Sequence, residues 1–167
     1  MISLVQTSQA RIEEIKRYVV SLNSQTGLDF SQVQLIFVDQ GDCIEAFKNL
    51  NPKIEFTYVK YKPSSLSHAR NVGLQYVKGE YVSFPDDDCW YHSDTLVKAI
   101  AQLETHEGVI IKATNEEDIP LAAYPLQNKM LTLFEHCGAC SICLFLHFDK
   151  QILFDENIGV GSPYDLA

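Results

Sequence analysis

At the centre of the sequence stands Gly79-Glu80-Tyr81-Val82-Ser83-Phe84-Pro85-Asp86-Asp87-Asp88-Cys89-Trp90-Tyr91, a β-rich run that ends in three consecutive carboxylates. Adjacent carboxylates repel one another, and removing them from water raises their pKa values unless a cation or hydrogen-bond donors compensate the charge. Oxygen-only ligands favour Mg²⁺ or Mn²⁺, typically held by one or two carboxylates together with phosphates and water. The alternative is a solvated acidic turn that caps the next helix.

The whole chain has the composition of an ordinary globular protein. Its 167 residues are 46% hydrophobic and 21% charged, which predicts one domain with a substantial core. The net charge of -9 argues against nucleic-acid binding through a general basic surface. We find no signal peptide and no integral membrane segment, so we expect a cytoplasmic location, with peripheral attachment at the inner face of the membrane left open. Five cysteines, an odd number, indicate reduced thiols.

Apolar runs and helical spacings alternate along the chain. The runs predict strands at 2–5, 33–38, 54–61, 81–84, 109–113 and 141–148. The spacings predict a helix capped by Thr7-Ser8 and ending near Asn23, a short helix at 44–50, one from Ser65 or Ser67 to Gly79, one at 93–103, and one at 129–136. This order predicts an α/β three-layer sandwich with a mostly parallel central sheet.

Three polar residues fall where predicted strands end: Thr7, Asp39 and Asp86. Ligands of α/β sandwiches bind beyond the carboxyl ends of the parallel strands. We therefore expect the three side chains to share one rim and to form a site. The stretch 114–127, with two prolines and a charge run, is predicted to be a loop.

Four blocks of sequence carry a resemblance to a known family. They are Ile2-Ser3-Leu4-Val5-Gln6-Thr7, Leu35-Ile36-Phe37-Val38-Asp39-Gln40, Ser65-Leu66-Ser67-His68-Ala69-Arg70-Asn71-Val72-Gly73 and the acidic stretch 79–88. In order and spacing the chain resembles the family 2 glycosyltransferases, whose nucleotide-sugar domain has the GT-A fold, from Ile2 to about Tyr164. The late segment 154–164 is similar to the family's approach to its acceptor site.

The resemblance implies a metal site at the acidic turn. Asp88 would be the principal ligand of Mn²⁺ or Mg²⁺, Asp86 or a water would complete the shell, and Asp87 would face the sugar or ribose. The metal would neutralise the diphosphate leaving group.

The same resemblance implies a nucleotide pocket. Asp39 stands where the family recognises the base, with a turn or cap role as the alternative; Thr7 would line the pocket, or only cap a helix. Arg70 would point toward the nucleotide to bind phosphate or pack on the base, with an ion pair to a neighbouring carboxylate as the alternative. Asn71 and Gly73 are expected to pack the helix beneath the site.

The implied activity is metal-dependent, inverting transfer of a sugar from a nucleoside diphosphate, a UDP-sugar foremost, to a saccharide or glycolipid acceptor in polysaccharide or glycoconjugate synthesis. Residues 1–113 would be the nucleotide-sugar half of a single domain, and 114–167 the start of an incomplete acceptor half. The alternative is a nucleotide-binding domain without turnover.

The catalytic base of this activity stays unassigned. In the family it follows the segment that ends here near Tyr164, and Asp165 does not match the family's acidic residues. The sequence ends at Ala167. We therefore expect the base to lie beyond Ala167 and the chain to be truncated.

Two other interpretations are set aside. Cys137, Cys140 and Cys143 form a C-x2-C-x2-C run typical of iron–sulfur or zinc sites, but His147 stands where a fourth cysteine would be expected, so buried, inert thiols are the simpler interpretation. A nucleotidyltransferase is disfavoured because Thr7-Ser8-Gln9-Ala10 replaces its glycine-rich phosphate loop.

Overall fold

One mixed sheet organises the computed structural model, which describes residues 1–132 and 140–165. Its strands are β1 (Ile2–Ser8), β2 (Val33–Asp39), β3 (Glu55–Lys60), β4 (Tyr81–Ser83), β5 (Gly108–Ile110) and β6 (Leu144–His147), in the spatial order β3-β2-β1-β4-β6-β5. β1 pairs in parallel with β2 and β4, and β2 with β3, whereas β6 runs antiparallel between β4 and β5. The predicted sheet, mostly parallel, is confirmed.

Helices cover both faces of the sheet. They are α1 (Ile12–Asn23), α2 (Leu66–Leu74) and α3 (Thr95–Leu103), and short 3-10 turns lie at Phe30–Gln32, Ile44–Phe47 and Ser141–Cys143. Apolar residues of α1 and α3 share a core cluster with Leu4 and Phe37, while Leu74 of α2 packs with Val5 and Ile36 in a second cluster. Because neighbouring residues of one strand enter different clusters, the two cores lie on opposite faces. The α/β three-layer sandwich is therefore confirmed.

The first helix begins later than the sequence predicts. β1 continues to Ser8, which pairs with Asp39, so Thr7 and Ser8 belong to the strand and do not cap a helix. The chain turns at Ala10, whose φ is 87°, and α1 starts at Ile12 without a side-chain cap. The prediction of a Thr7-Ser8 cap was wrong because ladder pairing with β2 keeps both residues extended.

The second helix ends before the predicted stop at Gly79. Its start is as predicted, since the Ser65 hydroxyl accepts a hydrogen bond from the His68 amide, but its last residue is Leu74. Gly79 instead lies against the start of β1, where its amide donates to Ser3 Oγ at 2.9 Å. A Cβ at Gly79 would lie 2.7 Å from the Met1 carbonyl oxygen, so this glycine permits a close approach of two segments.

The last third of the chain differs most from prediction. The run predicted as a strand at 141–148 is a 3-10 turn followed by β6, and the strand predicted at 109–113 is the shorter β5. Residues 129–132 are not helical, and the remainder of the helix predicted at 129–136 lies outside the described residues. Within the described ranges, no helix combines the length and the apolar character needed to cross a membrane.

The segment after β6 returns to α2. The Asn71 side chain donates to the Phe154 carbonyl and accepts from the Phe154 amide, and Ser67 Oγ donates to the Ile158 carbonyl at 2.7 Å. His68 joins the same contact, with Nδ1 2.8 Å from Glu156 Oε2. Thus α2 holds the late segment 154–164 by polar contacts along one side, and Asn71 does more than the packing expected of it.

Candidate functional site

The predicted rim exists at the carboxyl edge of the sheet. β1, β2 and β4 are parallel, so Thr7, Asp39 and the acidic turn after β4 come at the same edge. The Gln6 side chain donates to the Asp86 carbonyl oxygen at 3.3 Å, which ties the end of β1 to the turn. The structure thus brings together residues that the sequence places far apart.

Asp86 forms an ion pair with Arg70. Arg70 Nη2 donates to Asp86 Oδ1 at 2.6 Å, and the guanidinium lies 5.2 Å from the centre of the Phe154 ring. Arg70 is 5% exposed. Burial raises the pKa of Asp86, an effect that the Arg70 charge partly offsets, and burial lowers the pKa of Arg70. The ion pair named above as the alternative for Arg70 is therefore present.

Asp87 and Asp88 share a cation supplied by the chain itself. Arg11 Nη1 lies 2.7 Å from Asp88 Oδ2 and 3.4 Å from Asp87 Oδ1. The side chains of Arg11 and Asp88 are 55% and 49% exposed, whereas that of Asp87 is 13% exposed. Burial raises the pKa of Asp87, and the charge of Asp87 is the main cause of a raised pKa for Arg11. Arg11 thus already supplies a positive charge to the acidic turn.

Asp39 is fully buried and holds the turn after β2. Its Oδ1 accepts from the Gly41 amide at 2.8 Å, and its Oδ2 accepts from the Cys43 amide at 2.8 Å and from the Tyr58 hydroxyl at 2.9 Å. Each carboxylate oxygen can accept two hydrogen bonds. Oδ1 therefore keeps one acceptor position.

A cleft of about 390 Å³ opens beside the acidic turn. Arg17 stacks on Trp90 at 4.1 Å from the ring centre, and its Nη2 donates to the Asp88 carbonyl at 3.2 Å. The walls of the cleft join the acidic turn to α1, the chain after β5 and the turn before β6, through Tyr18, Asp88, Trp90, Lys112, Asn115 and Cys143. Most of the lining surface of the cleft is apolar, as in ligand pockets generally.

The acidic turn by itself supplies only part of the ligand shell that a hard divalent cation needs. Among residues 1–132 and 140–165, no three His, Cys, Asp or Glu side chains converge closely enough to hold a metal ion. Mg²⁺ and Mn²⁺ sites, however, commonly use one or two carboxylates and complete their shell with phosphate oxygens and water. Asp86 and Asp88 fit that pattern, because both offer oxygen ligands at a half-exposed rim.

The position of the catalytic base stays a prediction. The resemblance led us to expect the base beyond Ala167, and residues 166 and 167 lie outside the described residues. Asp165, the last described residue, has a local contact instead, since its Oδ2 accepts from the Gly161 amide at 3.1 Å. Nothing in this contact assigns the role of the base to Asp165.

Sequence reasoning named Arg70 but missed the other two arginines that contact the acidic turn. Arg11 and Arg17 lie on the polar side of the α1 region, and only the fold shows that both reach the chain at 86–88. One signal was present: Arg11 follows a strand that ends at the rim, where a cation faces acids on neighbouring strands.

Relatives of known name share parts of this chain. The minor teichoic acid biosynthesis protein GgaB of Bacillus subtilis (strain 168) is 27% identical over 177 residues, which is 89% of this chain and 18% of that protein. The glycosyltransferase GlyA of Streptococcus pneumoniae serotype 4 is 27% identical over 104 residues, which is 57% of this chain and 14% of that protein. The chain therefore spans less than a fifth of either relative.

Solved structures share the fold. The crystal structure of S. aureus TarS 1-349 matches with a TM-score of 0.66 at 19% identity, covering 87% of this chain and 46% of that one. Its complex with UDP-GlcNAc matches with a TM-score of 0.58 at 22% identity, covering 68% of this chain and 34% of that one. The mannosyltransferase PcManGT from Pyrobaculum calidifontis, in complex with GDP-Man and Mn²⁺, gives 0.59 at 20% identity, covering 67% and 35%.

The sequence blocks at the rim fall mostly within a match to the model of a protein family. The model of one protein family, Glycosyl transferase family 2, matches residues 4–157, a range that contains most of the four blocks, the whole acidic turn and the start of the late segment on α2. The match covers most of the chain, and the fold agrees with that of the solved structures above. The chain belongs to glycosyl transferase family 2.

Proposed function

We propose that the carboxyl rim binds a nucleoside-diphosphate sugar together with Mn²⁺ or Mg²⁺, for transfer of the sugar with inversion to a saccharide or glycolipid acceptor. The observation that supports this most is that Thr7, Asp39 and the acidic turn after β4 lie at the same carboxyl edge of the parallel strands β1, β2 and β4. Family membership supplies the reaction class.

The metal would be held by Asp88 and Asp86 and by the donor's phosphates. Bound there, a divalent cation would supply Lewis-acid stabilisation of the diphosphate leaving group. Arg11 would swing away from Asp88, which its exposed side chain allows. Arg70 would act through Asp86, because its Nη2 holds Asp86 Oδ1 and leaves Oδ2 for another partner.

The nucleoside would lie over Thr7 and Asp39. Asp39 Oδ1 would accept from an N–H of a base such as uracil once the turn at Gly41 and Cys43 that buries it has opened, and Asp87 would face the ribose or sugar. We propose a UDP-sugar donor, since TarS was crystallised with UDP-GlcNAc. PcManGT was crystallised with GDP-Man and Mn²⁺, so GDP is the comparison nucleotide in the test.

We further propose that residues 1–113 serve the donor and that the chain from 114 onward serves the acceptor. The cleft supports this proposal, because it is lined both by the acidic turn and by residues on either side of position 114. None of the residues at 1–132 and 140–165 is assigned as the catalytic base.

Calorimetric titration with UDP and GDP, with and without Mn²⁺, tests the donor site. We expect Mn²⁺-dependent UDP binding, and a loss of at least about tenfold in Asp88→Asn because a metal ligand is removed. Asp94→Asn is the matched control, since Asp94 is a surface acid paired with Lys98 at the start of α3. Binding of neither nucleotide above background, or an unchanged affinity in Asp88→Asn, would contradict the proposal.

A second candidate function is nucleotide binding without turnover. The contact of Arg11 with Asp87 and Asp88 favours it, because a cation of the chain itself can stand where a catalytic metal would bind. One assay distinguishes the two functions. Nucleotide release from UDP-sugars, followed beside the binding titration with saccharide and glycolipid acceptors, rises above the Asp88→Asn background only if the chain is a transferase.

A further inference from the structure

Two cysteines of the C-x2-C-x2-C run are in contact in the fold. Cys140 Sγ lies 3.3 Å from Cys143 Sγ, and the Cys143 amide donates to the Cys140 carbonyl at 2.9 Å. A turn closed by such a bond brings the two Cα atoms within ~7 Å, which overlaps the range that a disulfide spans. The third member, Cys137, lies outside the described residues.

The two thiols have different surroundings. Cys140 is exposed, whereas Cys143 is 1% exposed. The sequence-based prediction of buried thiols is therefore wrong for Cys140 and confirmed for Cys143, whereas Cys137 lies outside the described residues. Burial, followed by the hydrogen bond with Cys140, raises the pKa of Cys143 to about 11. Cys140 is therefore the sulfur that a soluble disulfide meets first, and Cys143 is placed to resolve the product.

The pair lies on the wall of the cleft beside the acidic turn. Cys143 is one of the cleft residues, and its carbonyl oxygen accepts from the Ile111 amide at 3.0 Å, just after β5. A bond between the two sulfurs would fix the turn that links this wall to β6.

We propose that Cys140 and Cys143 are a redox-active dithiol that forms an intramolecular disulfide by exchange with a low-molecular-weight disulfide such as oxidised glutathione. The Cys140 thiol loses its proton to solvent, and its thiolate attacks one sulfur of the glutathione disulfide. The S–S bond of the glutathione breaks, and the first glutathione thiolate leaves and takes up a proton. Cys143 loses its proton to solvent and attacks Cys140 Sγ, and the second glutathione thiolate leaves and takes up a proton. The protein loses two hydrogens, and one glutathione disulfide becomes two thiols. This proposal is independent of the donor site.

Mass spectrometry of the full chain after equilibration with oxidised and reduced glutathione tests the proposal. We expect the intact mass to fall by two hydrogens, peptide mapping to place the bond between Cys140 and Cys143, and excess reduced glutathione to reverse it. Cys143→Ala should stop at a glutathione adduct on Cys140, and Cys140→Ser should form neither product. Cys43→Ser, at another buried cysteine, and Cys137→Ser should both keep the intramolecular bond.

Three results would overturn the proposal: five free thiols under oxidising conditions, a disulfide that maps to Cys137, or tight binding of zinc by the run with all thiols protected. The wild-type peptide map decides without any variant, so a substitution that unfolds the chain leaves the test intact.

Discussion

Arg11 compensates part of the negative charge of the acidic turn. Its guanidinium bridges Asp87 and Asp88, which would otherwise repel each other beside the partly buried Asp86. Exposed ion pairs contribute only about 0.2–1 kcal/mol, so the contact can be exchanged for another cation at low cost. A side chain with this property suits a site that must accept a stronger cation.

Arg11→Ala should tighten the binding of Mn²⁺ in the absence of nucleotide. Removing a competing cation worth about 0.2–1 kcal/mol should raise the affinity by up to about fivefold. Calorimetry or electron paramagnetic resonance of free Mn²⁺ measures the change. Lys16→Ala is the control, because it removes one positive charge from α1, close in sequence to Arg11, at a side chain that pairs with Glu13 and not with the acidic turn. An equal gain in both variants would show a general charge effect, and a loss in Arg11→Ala would show that Arg11 helps to hold the ligand.

At the scale of elements, α2 connects three parts of the molecule. Its inner side packs on the sheet at Gly73, its Arg70 holds the acidic turn, and Asn71 holds the late segment 154–164. A shift of this helix would therefore reach the rim and the late segment together.

Gly73→Ala should destabilise the fold by about 1–3 kcal/mol, because overpacking outweighs the better helix propensity of alanine. The added Cβ would lie 2.5 Å from Val5 Cγ1, a short and stiff side chain of β1. Urea unfolding measures the loss. Adding Val5→Ala should give a favourable coupling in the double-mutant cycle, and strict additivity of the two changes would contradict a direct clash.

The attachment of the late segment to α2 should depend on pH. The hydrogen bond from His68, and then that from Asn71, lowers the pKa of Glu156 below its ordinary value. With its proton on Nδ1, His68 donates to Glu156 and can accept from the Tyr61 hydroxyl at Nε2. A lowered carboxyl pKa contributes stability above the unfolded-state pKa, and this contribution disappears as the pH falls through the folded-state value.

Glu156→Gln should therefore lower the Tm near neutral pH, and its Tm should converge with that of the wild type as the pH falls below the ordinary range of glutamate, about 4. Scanning fluorimetry across this range measures both. Glu45→Gln, at an exposed acid that pairs with Lys48, should follow the wild type throughout. A Tm difference that persists in acid would show that Glu156 acts by packing alone.

At the scale of the whole molecule, β6 joins the late chain to the strand that carries the acidic turn. Its Phe145 is fully buried in the core shared by α1 and α3, and its ladder with β4 begins beside the acidic turn. The single sheet thus includes strands from both predicted parts of the chain.

Phe145→Ala should destabilise the whole chain by about 3–5 kcal/mol, the usual cost of a large core truncation. Urea unfolding followed by Trp90 fluorescence and by circular dichroism measures it, and the two transitions should shift together. Leu153→Ala is the control, since Leu153 is 67% exposed and should change stability by less than about 0.5 kcal/mol. A shift seen by one probe only would show that β6 unfolds separately.

The sequence allowed the rim to be predicted but not its contacts. Mostly apolar runs at 33–38 and 81–84, the first followed by Asp39 and the second by Pro85 and Asp86, indicate buried parallel strands with acids at one edge, and the structure confirms these strands. The position of β6 could not be predicted, because Leu144–His147 is too short to indicate its neighbours or its direction. For Arg70 the sequence left an ion pair as one of two alternatives, and for Arg11 it showed only a cation after a strand that ends at the rim. Which carboxylates the two side chains contact depends on how α2 and the turn before α1 pack on the sheet.

The order of the strands in the sheet also determines which strand edges are unpaired while the chain is being synthesised. β5 is made before β6 but pairs only with β6, and β4 has β6 on the side away from β1. During synthesis the acidic turn therefore emerges while its own strand still presents an unpaired edge, and β5 must wait for Leu144–His147 before it can dock. Because unpaired edges of incomplete sheets attract other chains, we expect a chain that is paused between β5 and β6 to aggregate more readily than the chain with the completed sheet.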